Sequence, residues 1–327
     1  MTHSVDPVVE RAHADVLELF RTDTAVDPAG LAAVCRAARD RLAALPDLDP
    51  DNPHSWTSYK LITTDVQTLL GYLSEVDAPS SEPERFRSLL IRVLRYLYAA
   101  DGAKTGVRLA EIIHSEWEAR IGESHIDTLQ AAERLAACLH AEGDAKRAQP
   151  VFERIFQLRS RKFGDDHPDT LLAACNIGAC LGQLKDYSAA FQLYSDTVRR
   201  CERRLGRDHR TTMLATFNLA ACLRKLGEHE RALTLYQDVH RRYGRVSGEN
   251  SLETLDAEAG IAKTLHELGE YEEARAINAD LLPRFESLAG KDHSSTAHAR
   301  SRLTENLRAL GLNEEADEVE GIVHPDF

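Results

Sequence analysis

The sequence predicts an all-α protein in which about six helix pairs follow one another, preceded by a helical N-terminal region. Three observations lead to this prediction. A 42-residue repeat covers most of the 327 residues, apolar residues recur at helical spacing inside each repeat, and glycine or proline stands at the predicted helix ends. A repeat of this length decides the fold class, because each copy is one supersecondary unit that buries its apolar face against its neighbours.

The repeat is seen in residues of one type that stand 42 positions apart. Each copy has a glycine, then a threonine six residues later, with histidine or serine between them. The glycines are Gly122, Gly164, Gly206, Gly248 and Gly290, and the threonines are Thr128, Thr170, Thr212, Thr254 and Thr296. A degenerate copy precedes them from Phe86. The sequence therefore predicts a repeat region over 86–327, with units starting near residues 86, 122, 164, 206, 248 and 290.

Each repeat is predicted to hold two helices, called here A and B. Seven and eleven residues after each threonine stand apolar residues such as Leu135 and Leu139, which share one helix face. Helix A starts at a segment like His167–Thr170 and ends at a glycine turn, where Lys185 is the exception. Helix B carries a repeated alanine and, in three of the repeats, an aromatic residue four positions later: Phe152, Tyr194 and Tyr236. The last helix B is short, near 313–322.

Residues 1–78 do not follow the repeat and are predicted to form a separate helical region. Apolar spacing predicts helices near 7–21, 28–45 and 55–76. Proline-rich breaks follow the second and third of these helices, and residues 79–85 are predicted to be a linker to the repeats.

Composition excludes several classes of protein. A net charge of -13 disfavours nucleic acid and anionic membranes as partners, and no apolar stretch is long enough to span a bilayer. Six cysteines without a secretory signal favour a cytoplasmic protein with reduced thiols. Cys138, Cys180 and Cys222 stand one repeat apart, too distant to share a zinc ion, so they are predicted to be buried. No cofactor, metal site or catalytic motif is predicted.

The repeat resembles the long tetratricopeptide (TPR) repeat of kinesin light chain. It is also similar to the TPR tails of actinobacterial NB-ARC and FxSxx-COOH-system proteins. The likeness rests on segments such as Phe163–Leu171, Asn218–Ala220 and Leu226–Ala232, and covers roughly 86–322. It implies a right-handed α-solenoid whose inner face, formed by the A helices, receives a segment of another protein.

The resemblance also implies which residues face the partner. Positions are counted from the repeat threonine, or from Phe86 in the first unit. Position six then gives a row that includes Arg92, Asn218 and Arg302. The predicted binding residues are Arg92, Arg95, Arg134, Asn176, Phe217, Asn218, Lys225, Lys263 and Arg302. Guanidinium groups bind carboxylates and Asn amides bind main chain, so the partner is expected to be a protein or peptide that is acidic or has a free C-terminal carboxylate. A merely solvated face is the competing interpretation.

A second feature is an arginine cluster on the B helices. Residues 154–245 contain 17 Arg or Lys and 10 Asp or Glu, and Arg199, Arg200, Arg203 and Arg204 lie within one helix. No aromatic residue for base stacking lies between 195 and 216, which disfavours nucleic acid. An acidic protein partner, the acidic ends of the chain itself, and simple solvation remain open.

These features together predict a non-catalytic scaffold or adaptor that captures a partner segment. A peptide-responsive or ligand-responsive regulatory receptor, and an accessory subunit of a peptide-modifying enzyme, are the alternatives.

Overall fold

The computed structural model describes residues 4–22, 28–73, 76 and 83–321. Within these ranges the chain is helical and contains no strand, which confirms the predicted all-α class. The chain forms two compact units, residues 1–155 and 156–327. Most of the predicted linker at 79–85 lies outside the described residues, and the separate N-terminal region stays a prediction.

Unit 1 contains the N-terminal helices and the first helix pairs. Its helices are α1 (Pro7–Thr22), α2 (Pro28–Ala43), a 3-10 turn (Pro53–Ser55), α3 (Trp56–Leu73), α4 (Glu84–Ala99), α5 (Ala103–Ile121), α6 (Ile126–Ala141) and most of α7 (Ala145–Phe163). The three helices predicted before the repeats are present, with ends shifted by a few residues. Helices α2 and α3 both pack on α4, the first A helix, so the non-repeating region covers it.

Unit 2 contains four further helix pairs. The A helices are α8 (Pro168–Gln183), α10 (Arg210–Lys225), α12 (Leu252–Leu268) and α14 (Ser294–Ala309), and the B helices are α9 (Tyr187–Leu205), α11 (His229–Ser247), α13 (Tyr271–Ala289) and α15 (Asn313–Glu320). Each helix packs against the next, and each A helix also packs against the following A helix. The predicted pairing and the short last helix are confirmed.

The repeated histidine is the N-cap of helix A. In α10, His209 has extended backbone angles and its Nδ1 accepts a hydrogen bond from the backbone N–H of Thr211 at 3.2 Å. His125, His167 and His293 cap their helices in the same way, and the hydroxyl of Ser251 does so in α12. Each cap satisfies a backbone donor that the first helical turn leaves unpaired. The histidines therefore have a structural role.

The repeated threonine ties the loop to its helix in four of the five repeats, and Thr128 is the exception. Thr212 is buried, and its hydroxyl donates to the carbonyl of Gly206 at 2.7 Å, six residues earlier. Thr170, Thr254 and Thr296 make the same bond. This local bond explains why glycine and threonine recur together.

An aromatic side chain on helix B fills a slot between A helices. Tyr194 on α9 lies against Gly178 of α8, and Tyr236 on α11 lies against Gly260 of α12. A Cβ at Gly178 or Gly260 would lie 2.6 or 2.5 Å from a ring carbon, so only glycine admits the ring. Both tyrosines are buried, which makes these aromatic slots part of the core.

All six cysteines are buried, which confirms the burial predicted for Cys138, Cys180 and Cys222. Burial raises the pKa of Cys138 to about 11 and disfavours its thiolate. In the described residues no group of three His, Cys, Asp or Glu side chains is arranged to hold a metal. Every helix in the same residues is too short or too polar to span a lipid bilayer.

Candidate binding face of the A helices

The predicted row of position-six residues lies on successive A helices. Arg92 is on α4, Arg134 on α6, and Asn176, Asn218 and Arg302 on α8, α10 and α14. All of them are partly exposed. The row is therefore accessible, but the residues in the two units have different surroundings.

In unit 1 the first member of the row, Arg92, is covered by the chain's own segment Leu45–Pro53, which follows α2 and leads into the 3-10 turn. Arg92 is ion-paired with Asp47 and also donates to the carbonyl of Pro46 at 3.3 Å. Arg95 is ion-paired with Asp51. The first two predicted binding residues thus already hold an acidic stretch of polypeptide.

Aromatic side chains hold the backbone of this segment. The Tyr59 hydroxyl donates to the carbonyl of Leu48 at 2.7 Å, and Trp56 Nε1 donates to that of Pro50 at 3.1 Å. Together with Arg92 they bind the carbonyls of every second residue, 46, 48 and 50. Tyr59 also stacks on Tyr96 of α4, with ring centroids 5.3 Å apart. Burial raises the pKa of Tyr59 to about 12, so its hydroxyl stays a donor at neutral pH.

Arg134, the next member of the row, makes a weaker contact. Its guanidinium lies 3.8 Å from the carboxylate of the neighbouring Glu133, whose side chain is almost fully buried. The Arg134 side chain is only 23% exposed. It is therefore available to a partner only in part.

In unit 2 the amides of the row are open. Within the described residues, neither Asn176 nor Asn218 has a side-chain hydrogen bond to the protein, so both amides can serve a ligand's main chain. Phe217 lies beside Asn218 and packs edge-on against Tyr236, with centroids 5.4 Å apart. An apolar surface therefore adjoins the second amide.

Further along unit 2 the face becomes cationic. Arg224 and Lys225 end α10, Lys263 lies on α12 and Arg302 on α14. Arg224 is paired with Glu267 at 2.5 Å. In the part of the chain that the structure describes, Lys225, Lys263 and Arg302 have no carboxylate within 4 Å. The predicted cationic residues at this end thus lie near one another, and their positive charge is largely unbalanced by carboxylates.

The pKa values reflect this surplus of positive charge. Burial, followed by repulsion from Arg224, Arg302 and Lys225, lowers the pKa of Lys263 to about 8. Burial and the proximity of Arg224 also lower the pKa of Arg302. An anion placed between these side chains would favour their charged forms.

Three residues beside these cations were not predicted from the sequence. His266, Asn278 and Asn306 line a cavity of about 100 Å³ together with Lys263 and Arg302. One signal was present: Asn278 stands where the preceding units carry Tyr194 and Tyr236. Because asparagine replaces the aromatic residue at this position, no ring fills the slot.

The arginine cluster on the B helices is mostly compensated within the protein. Arg200 donates to Asp166 at 2.7 Å, Arg242 is paired with Asp238, and Arg245 lies 3.5 Å from Asp208. The hydrogen bond from Arg200 holds the pKa of Asp166 below its usual range. These contacts favour the solvated interpretation of the cluster over that of a partner site.

Comparison with known proteins identifies the repeat. Residues 127–203 and 211–287 match the tetratricopeptide repeat family model, so the all-α fold is a TPR repeat fold. Curated protein sequences include no significant match to this chain.

Solved structures support the same fold. NprR in complex with its cognate peptide NprX is 12% identical, with a TM-score of 0.57, over 97% of this chain and 90% of that one. BtubC (BKLC) from P. vanneervenii is 16% identical, with a TM-score of 0.51, over 72% and 94%. TPR-like repeats of a kinesin light chain type from Podosopora anserina are 17% identical, with a TM-score of 0.47, over 63% and 98%. NprR and BtubC, whose TM-scores exceed 0.5, thus share the fold of this chain.

Proposed function

We propose that the A-helix face of unit 2 captures a segment of another protein or a peptide, and that the protein is a non-catalytic scaffold. The observation that carries this proposal is the position of Leu45–Pro53 on α4. There, arginines at positions six and nine pair with aspartates, while side-chain donors hold the backbone carbonyls. The same positions in unit 2 carry Asn218, Lys263 and Arg302 with no such occupant in the described residues.

The chemistry of the face favours an acidic partner segment. Among the described residues, Lys263, Arg302 and Lys225 have no carboxylate within 4 Å, and Asn176 and Asn218 can donate to and accept from main chain. Phe217 supplies apolar contact. NprR, which shares the fold, is described as binding a peptide, and this supports a peptide or protein ligand here. An acidic side chain or a free C-terminal carboxylate would suit the cations, as the sequence predicts.

Selection from a random peptide display library tests the proposal. We expect the peptides that bind to be enriched in Asp and Glu, and we expect the double variant Asn176→Ala, Asn218→Ala to bind them about tenfold more weakly. That loss corresponds to about 1.4 kcal/mol, in the range of one or two hydrogen bonds. Arg199→Ala is the matched control, because Arg199 is 77% exposed on a B helix.

Unchanged affinity in the double variant would disprove binding through the row. Selected peptides without an acidic bias would disprove the role assigned to the cations. The likeness to actinobacterial TPR tails and the cytoplasmic location stay predictions.

A further inference from the structure

The cavity between α12, α13 and α14 exists because one aromatic slot lacks its ring. Tyr194 and Tyr236 fill the equivalent slots of the two preceding repeats. At the same position of α13 stands Asn278, which is much smaller than tyrosine. The space left has a volume of about 100 Å³. It is lined by Ala262, by the polar side chains of His266, Asn278 and Asn306, by the cations Lys263 and Arg302, and by the carboxylates Glu267 and Glu305. The polar ends of these side chains can bind a polar ligand group.

A chain of amides fixes the inner wall of this cavity. Asn278 Nδ2 donates to Asn306 Oδ1 at 2.7 Å, and Asn306 Nδ2 donates to His266 Nδ1 at 2.8 Å. Because its Nδ1 accepts, the neutral His266 ring carries its proton on Nε2. Both asparagines are only 1% exposed. The wall is therefore rigid and its hydrogen-bond directions are set.

One hydrogen-bond acceptor in this row of amides is unsatisfied. Asn278 Oδ1 is buried and has no hydrogen-bond partner in the described residues. A buried carbonyl oxygen that accepts no hydrogen bond destabilises the folded protein. The cavity therefore offers an acceptor that a ligand N–H would satisfy.

The outer wall carries charges of both signs, because Glu267 and Glu305 line it beside Lys263 and Arg302. Glu267 is already engaged by Arg224 at 2.5 Å and lies 3.4 Å from His229. Within the described residues, the one hydrogen bond of the Arg302 guanidinium is a long one to the carbonyl of Ala259, at 3.4 Å. Asp256 and Glu305 influence Arg302 from beyond ion-pair distance. Lys263 and Arg302 are thus left to bind an anion.

We propose that this cavity binds one carboxylate whose carrier also presents an N–H group, with Lys263 and Arg302 as its ionic partners and Asn278 Oδ1 as the acceptor. The inference rests on the proposed function, because it assigns the anchoring group of the captured segment. The shared chemistry is a carboxylate next to an amide, which occurs at a peptide C-terminus and at an internal aspartate.

Titration of the full chain with small probes tests the assignment. N-acetylglycine has a carboxylate and an N–H, N-acetylsarcosine lacks the N–H, and N-acetylglycinamide lacks the charge. Side-chain amide signals of Asn278 and Asn306 in ¹H–¹⁵N spectra report occupancy of the cavity. We expect saturable shifts with N-acetylglycine, and affinities at least tenfold lower for the other two. N-acetylaspartic α-amide, compared with N-acetylglycine, distinguishes an internal aspartate from a C-terminus as the source.

Two variants support the measurement. Lys263→Gln removes a partly exposed charge and is expected to weaken N-acetylglycine binding at least tenfold. Lys291→Gln is the control, at an exposed loop position of the same unit, and is expected to leave the affinity unchanged. Asn278→Tyr restores the ring found in the other slots and is expected to abolish binding. If Asn278→Tyr does not fold, the comparison of Lys263→Gln with Lys291→Gln still tests the proposed carboxylate site.

Shifts that do not saturate, or equal binding of N-acetylglycinamide, would overturn the carboxylate site. Selected peptides that still depend on Asn176 and Asn218 would in that case leave the proposed function standing.

Discussion

Lys185 holds a backbone conformation that normally requires glycine. The residue that ends helix A is Gly143, Gly227 or Gly269 in other repeats, each with a positive φ. Lys185 occupies the same turn with a φ of 66°. A side chain in the left-handed region costs about 1–2 kcal/mol, because Cβ approaches the following carbonyl oxygen.

At the scale of this residue we expect Lys185→Gly to stabilise the protein. The gain should be about 1 kcal/mol, reduced in part by the greater freedom of glycine in the unfolded chain. Urea unfolding followed by circular dichroism measures it. Gly227→Ala is the reverse control and should destabilise, although no atom would lie within 4 Å of its Cβ. A loss of stability in Lys185→Gly would show that the lysine makes a compensating contact.

At the scale of an element, the segment Leu45–Pro53 is attached to α4 by two kinds of contact. Ion pairs link Asp47 and Asp51 to the arginines, and the Asp47 side chain is 93% exposed. Exposed ion pairs contribute little, about 0–1 kcal/mol each. The buried bond from Tyr59 to Leu48 and the packing of Leu45 therefore account for more of the attachment.

Because the contacts of Tyr59 and Leu45 remain, we expect Asp47→Asn with Asp51→Asn to loosen the segment only modestly and not to unfold unit 1. Amide hydrogen exchange should become faster in residues 47–52 and stay unchanged in α3 and α4, because the helices retain their own packing. Asp49→Asn is the matched control, since its side chain accepts from the N–H of Asp51, a role that an amide oxygen keeps. Exchange that is unaltered in the double variant would mean that the ion pairs do not hold the segment.

At the scale of the whole molecule, the six buried thiols report on unfolding. Cys35 and Cys138 lie in unit 1, while Cys175, Cys180, Cys201 and Cys222 lie in unit 2. Each is at most 5% exposed, and burial raises the pKa of Cys201 and of Cys222 to about 11. Both effects protect the thiols from reagents that attack the thiolate.

We expect a thiol reagent to modify none of the six cysteines rapidly in native buffer and all of them in denaturant. Mass spectrometry at intermediate urea concentrations then assigns labelling to each unit. Equal midpoints for the two groups of cysteines would indicate one cooperative transition, and separate midpoints would indicate units that unfold independently. Rapid labelling in native buffer would contradict the burial of these side chains.

Local interactions explain how much of the fold could be predicted. The histidine caps, the Thr212–Gly206 bond and the glycine turns join residues at most six positions apart, so a repeated pattern exposes them in the sequence. The helix pairs follow from apolar spacing for the same reason. The candidate site is different. The sequence predicts a row of residues on one face of the A helices, but it contains no local pattern that predicts which segment covers that face.

The sequence alone determined that most of this protein is a series of helix pairs with a 42-residue period, because period, caps and turns are encoded within each repeat. Only the tertiary structure decided that Asp47 and Asp51 lie on Arg92 and Arg95, which are 45 and 44 residues away along the chain. It also brought Asn278 and Asn306, 28 residues apart, into contact beside Lys263 and Arg302. Such contacts depend on the packing of different helices, and no periodicity within a single repeat specifies them.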